Sequence, residues 1–185
     1  MAATEHYKAQ VVFYGALGRK ENSEAVQWFI EKVYKPYHLS DKVTFCIIGG
    51  GGDKLKMQYA DLPGVRFTGF VEKPENIFVE SLCMVVPLLN GGGIKIKVLE
   101  GMTCALPVLT NEIGIEGIGG GDGSEYLFCK TPKQYEDGIL SLLSSPVLRR
   151  EIGENARAWI NEHFDYEKDL EAYKLELIQL SNKIC

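Results

Sequence analysis

The sequence predicts a doubly wound α/β domain with six mainly parallel strands, helices on both faces of the sheet and a helical C-terminal end. Three observations carry this prediction. Between residues 10 and 130, short apolar runs alternate with segments at helical spacing, the order of β-α-β units. The apolar runs are nearly continuous, as in parallel strands covered on both faces. Glycine clusters follow the second, fourth and fifth of those runs, where open α/β sheets place their ligand crevice.

Residues 10–15 (QVVFYG) form an apolar run closed by glycine, which reads as a buried strand. Asn22 opens a helix in which Ala25, Val26, Phe29, Ile30 and Val33 share a face, and Pro36 ends it. Residues 43–48 (VTFCII) are a second strand, followed directly by Gly49, Gly50, Gly51 and Gly52. A short helix over 54–60 leads to a third strand at 65–67, which closes at Gly69. Pro74 starts a helix over 75–82. A fourth strand follows at 83–87, then a helix over 93–104, a fifth strand at 107–109 and a sixth at 126–129. Beyond Pro132 the spacing predicts three helices, over 135–143, 147–163 and 167–180.

The chain has 185 residues, about one domain's length. Its 20 basic and 25 acidic side chains give a net charge of −5, against the basic face of a nucleic-acid-binding module. The longest apolar run, 82–89, is interrupted by Pro87 and falls far short of the ~20 residues of a membrane span. Residues 1–9 have no apolar core and read as a disordered or cloning-derived start, not a signal peptide. The five cysteines form no C-x-x-C pair and the three histidines stand far apart, so no metal site is expected. Buried free thiols imply a reducing, cytoplasmic setting. Glycine is the unusual number, at 20 of 185 or about 11 %, against roughly 7 % on average.

The segment richest in chemistry is 87–110, PLLNGGGIKIKVLEGMTCALPVLT. A strand runs into Gly91, Gly92 and Gly93 and then into a helix whose first turn carries Lys95 and Lys97. Lysine there opposes the helix dipole, so helix stability does not explain it; an anion such as phosphate at that end would. Glu100 stands three residues after Lys97, on the same side of the helix. Its carboxylate could accept two hydrogen bonds from a ribose diol or pair with Lys97, and spacing leaves both open.

This segment resembles the donor-binding signature of GT-B glycosyltransferases near family 4: a glycine loop, basic residues, an LEAM-like helix start (Leu99, Glu100, Gly101, Met102) and a G-x-P-V-V-like strand (105–109). Further landmarks fall in the family's order. These are FYGALGRKENSEAVQWF, VTFCIIGGG, VRFTGFV, IGIEGI and REIGENARAWINEHFDYEK, covering about residues 10–170. The resemblance implies a Rossmann-like domain, the C-terminal half of a GT-B fold. It implies a retaining hexosyltransferase that takes a UDP-, GDP- or ADP-sugar as donor and requires no metal or other cofactor. Lys95, Lys97 and Glu100 are the candidate catalytic residues. The expected donor contacts are Gly15, Gly91, Gly92, Gly93, Ile94 and Lys95, with Glu100 on the ribose hydroxyls and the backbone of Val71 near the base. The first loop supplies a basic contact from Arg19 or Lys20. The family pattern E-x₇-E would place a sugar-contacting glutamate at position 92. This chain has Gly92, which resembles a glycine-loop subgroup.

An enzyme of this kind has two such halves, so the chain reads as the donor half of a larger cytoplasmic enzyme, inactive alone and without its acceptor domain. Peripheral contact with the inner membrane face is a further expectation for the full-length protein. The terminal helix, with Leu170, Tyr173, Leu177 and Leu180, is expected to pack on the missing half or to support a dimer. Two other readings compete. A dinucleotide-binding module needs G-x-G-x-x-G after the first strand, which residues 15–20 (GALGRK) lack. A non-catalytic interaction domain that keeps the fold would be told apart by unchanged nucleotide affinity after charge reversal at Lys97 or after Glu100→Ala.

Overall fold

A computed structural model describes residues 8–164 and 174–175. The expected terminal helix over 167–180 lies almost wholly outside the described residues. Six parallel strands form one sheet: β1 (Gln10–Tyr14), β2 (Thr44–Ile48), β3 (Val65–Gly69), β4 (Cys83–Val86), β5 (Val108–Thr110) and β6 (Leu127–Phe128). Their spatial order is β3-β2-β1-β4-β5-β6. The chain winds outward from β1 in one direction, then returns past it to β4 and winds the other way. β1 and β4 therefore flank the point where the order reverses, and their carboxyl ends diverge there.

The central strands are buried on both faces, which is why their sequence shows no alternation. Val11, Val12 and Phe13 of β1, Phe45 to Ile48 of β2 and all of β4 are buried. Aromatic side chains fill the layer between the sheet and the first helix. Phe29 packs on Phe45 with ring centroids 4.7 Å apart and on Tyr135 edge-to-face at 6.1 Å.

Among the described residues, seven α-helices cover the sheet: α1 (Lys20–Phe29), α2 (Asp53–Tyr59), α3 (Glu75–Phe78), α4 (Ile96–Thr103), α5 (Glu112–Ile115), α6 (Pro132–Ser144) and α7 (Pro146–His163). Several elements differ from the sequence expectation, among them α3, which ends at Phe78 rather than at residue 82. α1 begins at Lys20 and passes into a π-helical turn, Ile30–Tyr34, before Pro36. α4 begins at Ile96 rather than Gly93, because Gly91 (φ 123°) and Gly93 (φ 73°) hold backbone conformations that no helix contains. α5 is absent from the sequence reading; Asn111 creates it by accepting a hydrogen bond from the Gly114 N–H at 3.1 Å.

α6 starts earlier than its apolar spacing suggests because Thr131 and Gln134 form a reciprocal capping box ahead of the first apolar residue. Thr131→Ala is expected to lower the unfolding free energy by about 1 kcal/mol. A urea denaturation curve should show a lower midpoint with an unchanged slope. No helix among the described residues is long and apolar enough to cross a membrane.

Candidate functional site

Two cavities mark the two ends of the sheet. One, of about 400 Å³, lies at the amino ends of β4 and β5 beside Arg149, Arg150 and Arg157 of α7. Arg149 there donates to the Leu142 carbonyl at 3.3 Å, tying α7 to the end of α6. The other, of about 510 Å³, opens at the carboxyl ends of β1 to β4. The loops after β1, β2 and β4 all reach this second cavity with glycine, and it sits at the point of strand-order reversal. It is the candidate site.

The exits of β1 and β2 cross at main-chain distance. A Cβ on Gly49 would lie 2.0 Å from the Gly15 carbonyl oxygen, so only glycine permits the crossing. Gly15 itself (φ 152°) faces the cleft, and a Cβ there would stand 2.9 Å from both Asn22 Nδ2 and Lys97 Nζ. Gly15 thus leaves room for a polar cluster that a larger residue would displace.

Of the residues predicted from the sequence, Gly15, Arg19, Val71, Gly91, Gly92 and Ile94 line the cleft, together with Lys95, Lys97 and Glu100. Lys20 and Gly93 do not. Lys20 is the first residue of α1 and its amine lies 3.6 Å from Glu24. Arg19, one residue earlier, is extended and lines the cleft. Gly93 turns its carbonyl to the Lys95 amine. Sequence reasoning missed Asn22, Glu21 and Tyr14 as parts of the wall. Local spacing marks Asn22 only as a helix opener; its partner, Lys97, lies 75 positions away, beyond any local pattern.

The lysines of the cleft differ in their company. Lys95, the residue before α4, bonds to Gly93 and sits 3.2 Å from the Glu116 carboxylate. Lys97 donates to the neutral Asn22 Oδ1 and lies over the Phe13 ring, 4.6 Å from its centroid. Among the described residues no carboxylate pairs with it. Burial pulls the Lys97 amine down from 10.5 to about 8; Glu21 opposes this, and Arg19 and Lys95 add to it.

Glu100 lies one turn further along α4 and makes no pair with Lys97, whose amine turns to Asn22 instead. Burial first and Glu75 second raise the Glu100 carboxyl above its ordinary value. At the rim, Phe70 follows β3 and is 83 % exposed. Among the described residues no group of three or more His, Cys, Asp or Glu side chains could hold a metal ion. The site therefore offers a glycine-rich loop, a helix N-terminus, one desolvated amine and the carboxylates of Glu21 and Glu100.

The family model for glycosyl transferases group 1 matches residues 8–145. The chain belongs to that family. Its fold is Rossmann-like and matches one domain of GT-B glycosyltransferases. TarM of S. aureus, solved with fondaparinux, α-GlcNAc-glycerol and UDP, superposes with a TM-score of 0.75 at 22 % identity, over 94 % of this chain and 36 % of that one. HepE of Anabaena, solved with UDP, superposes with a TM-score of 0.76 at 15 % identity, over 93 % of this chain and 49 % of that one. A glycosyltransferase of Methanocaldococcus jannaschii is 29 % identical over 171 residues, 83 % of this chain and 42 % of the relative. This group 1 glycosyltransferase domain spans less than half the length of the curated relatives it matches.

Proposed function

We propose that the chain is the donor-binding domain of a retaining glycosyltransferase and that its cleft holds a nucleoside diphosphate sugar. The observation that carries this reading is the Lys97 amine, desolvated and without a carboxylate partner among the described residues, near the N-terminus of α4. A cation kept there without a counter-ion of its own suits an incoming anion. The presence of UDP in the TarM and HepE structures supports a nucleotide of that class.

In this reading the diphosphate lies against Gly91, Gly92 and the backbone of Ile94 and Lys95, with Gly93 shaping the loop from outside the cleft. Lys97 and Arg19 supply positive charge, and the Lys95 amine closes the loop beneath. Glu100 accepts from the ribose hydroxyls, Gly15 keeps the floor open, and the backbone of Val71 meets the base. Catalysis is electrostatic: Lys97, Lys95 and the α4 N-terminus stabilise the charge that develops on the departing diphosphate. Transfer needs an acceptor half, so the 185-residue chain binds donor without turning it over.

Calorimetric titration with UDP, GDP and ADP tests the reading, with saturable binding to at least one of them as the expected result. A folded sample that binds none of the three overturns it. Glu100→Gln should weaken binding of the preferred nucleotide about tenfold, the scale of a charge-assisted hydrogen bond. Its 2′-deoxy analogue should bind parent and variant almost equally.

A further inference from the structure

We propose that Asn22 is a positioning residue: its side-chain amide holds the Lys97 amine on the floor of the cleft, charged and ordered before a donor arrives. The inference deepens the donor-binding reading and rests on it. Asn22 lies in the first turn of α1 and is 5 % exposed. Both ends of its amide are committed. Nδ2 donates to the Ala16 carbonyl at 2.9 Å, and Oδ1 accepts from Lys97 Nζ. The Ala16 bond fixes which end of the amide faces the lysine, so an acceptor is always presented to the amine.

The rest of the pocket agrees with this role. The Phe13 ring supports the amine from one side, and Gly15 leaves the space that a Cβ would take from both Asn22 and Lys97. A lysine side chain carries about 2 kcal/mol of rotamer entropy. Fixing it in the unliganded protein removes that cost from donor binding. A carboxylate would hold the amine as firmly but would cancel its charge. Lys20 and Lys95 are held by Glu24 and Glu116, whereas Lys97 is held by an amide. Glu21, Arg19 and Lys95 are the charged groups that act on the amine from a distance, and none of them bonds to it among the described residues.

NMR of the 185-residue chain with carbon-13-labelled lysine, recorded without nucleotide and alongside UDP titrations, tests the proposal. In Asn22→Ala the amine is released toward solvent. Its titration midpoint should rise toward that of an ordinary lysine, the upfield ring-current shift of the Lys97 methylene should vanish, and UDP affinity should fall about tenfold. The near-isosteric Asn22→Asp should keep the ring-current shift, raise the midpoint and weaken UDP by a similar factor. A folded Asn22→Ala that melts lower yet keeps the Lys97 midpoint and full UDP affinity overturns the proposal. Should that variant fail to fold, an unmoved midpoint in Asn22→Asp overturns it instead. If the parent binds no nucleotide, the donor reading falls, while the free-protein lysine shifts still uphold or refute the hold of Asn22 on Lys97.

Discussion

Lys97→Met is expected to weaken UDP binding about 10- to 100-fold at neutral pH, because a hydrogen bond to a charged group contributes about 1.5–3 kcal/mol and each 1.4 kcal/mol is a factor of ten. The variant should also lose the pH dependence of the parent. Burial has moved the Lys97 amine to about 8, so it is charged below that pH and neutral above it. A diphosphate binds the charged form better. Parent affinity is therefore full below about pH 8 and falls as pH rises through it, by up to about tenfold per unit, until the midpoint of the bound amine is reached. Methionine fills similar space without a titrating group, so its profile stays flat across the same window. Lys54→Met, on the exposed face of α2, is the control and should bind UDP like the parent. Calorimetry between pH 7 and 10 reads all three. Equal affinity of Lys97→Met and parent at pH 7 would remove Lys97 from the phosphates and leave Arg19 as the cation that meets them.

The sequence was most legible where burial leaves a dense signature. β1, β2 and β4 are apolar on both faces, so their runs are uninterrupted and their limits are nearly right. The candidate cleft was also legible in outline, because the glycines that follow β1, β2 and β4 lie at one edge of the sheet; the cluster at 117–123 does not line it. What escaped the sequence depends on backbone conformation or on partners far along the chain. The start of α4 moved three residues because the left-handed Gly93 carries no helix. The choice between Arg19 and Lys20 turned on where α1 begins: the extended Arg19 lines the cleft, while Lys20, one helical residue later, turns to Glu24. Glu100 offered a local pair with Lys97 by spacing, yet the amine found Asn22 on another helix. Local spacing suggests which pairs could form; the crossover from β3 back to β4, which sets α4 beside the exit of β1, decides which one does.

Gly153→Ala is expected to destabilise the domain by about 2 kcal/mol or more, although helix propensity alone predicts the opposite sign. Gly153 lies inside α7, where replacing glycine by alanine ordinarily gains about 1 kcal/mol. Here α7 meets the main chain that follows α4. A Cβ on Gly153 would lie 2.1 Å from the Ala105 carbonyl oxygen and 3.0 Å from its carbon. The obstacle is backbone, so no rotamer change relieves it. Ala105 is already held at φ 55°, a conformation that costs a non-glycine residue about 1 kcal/mol or more, which leaves this segment little room to yield. Overpacking of this kind costs about 1–3 kcal/mol and sometimes more, enough to outweigh the propensity gain. Since α4 carries Lys97 and Glu100, a displaced α7 should also weaken UDP binding, by a smaller factor than Lys97→Met. Gly18→Ala is the control: a Cβ there meets nothing within 4 Å, so its stability should stay within about 0.5 kcal/mol of the parent. Urea denaturation of the three proteins decides the matter. A Gly153→Ala midpoint above that of the parent would mean that α7 and the Ala105 carbonyl do not approach this closely, and that α4 is not braced from its C-terminal end.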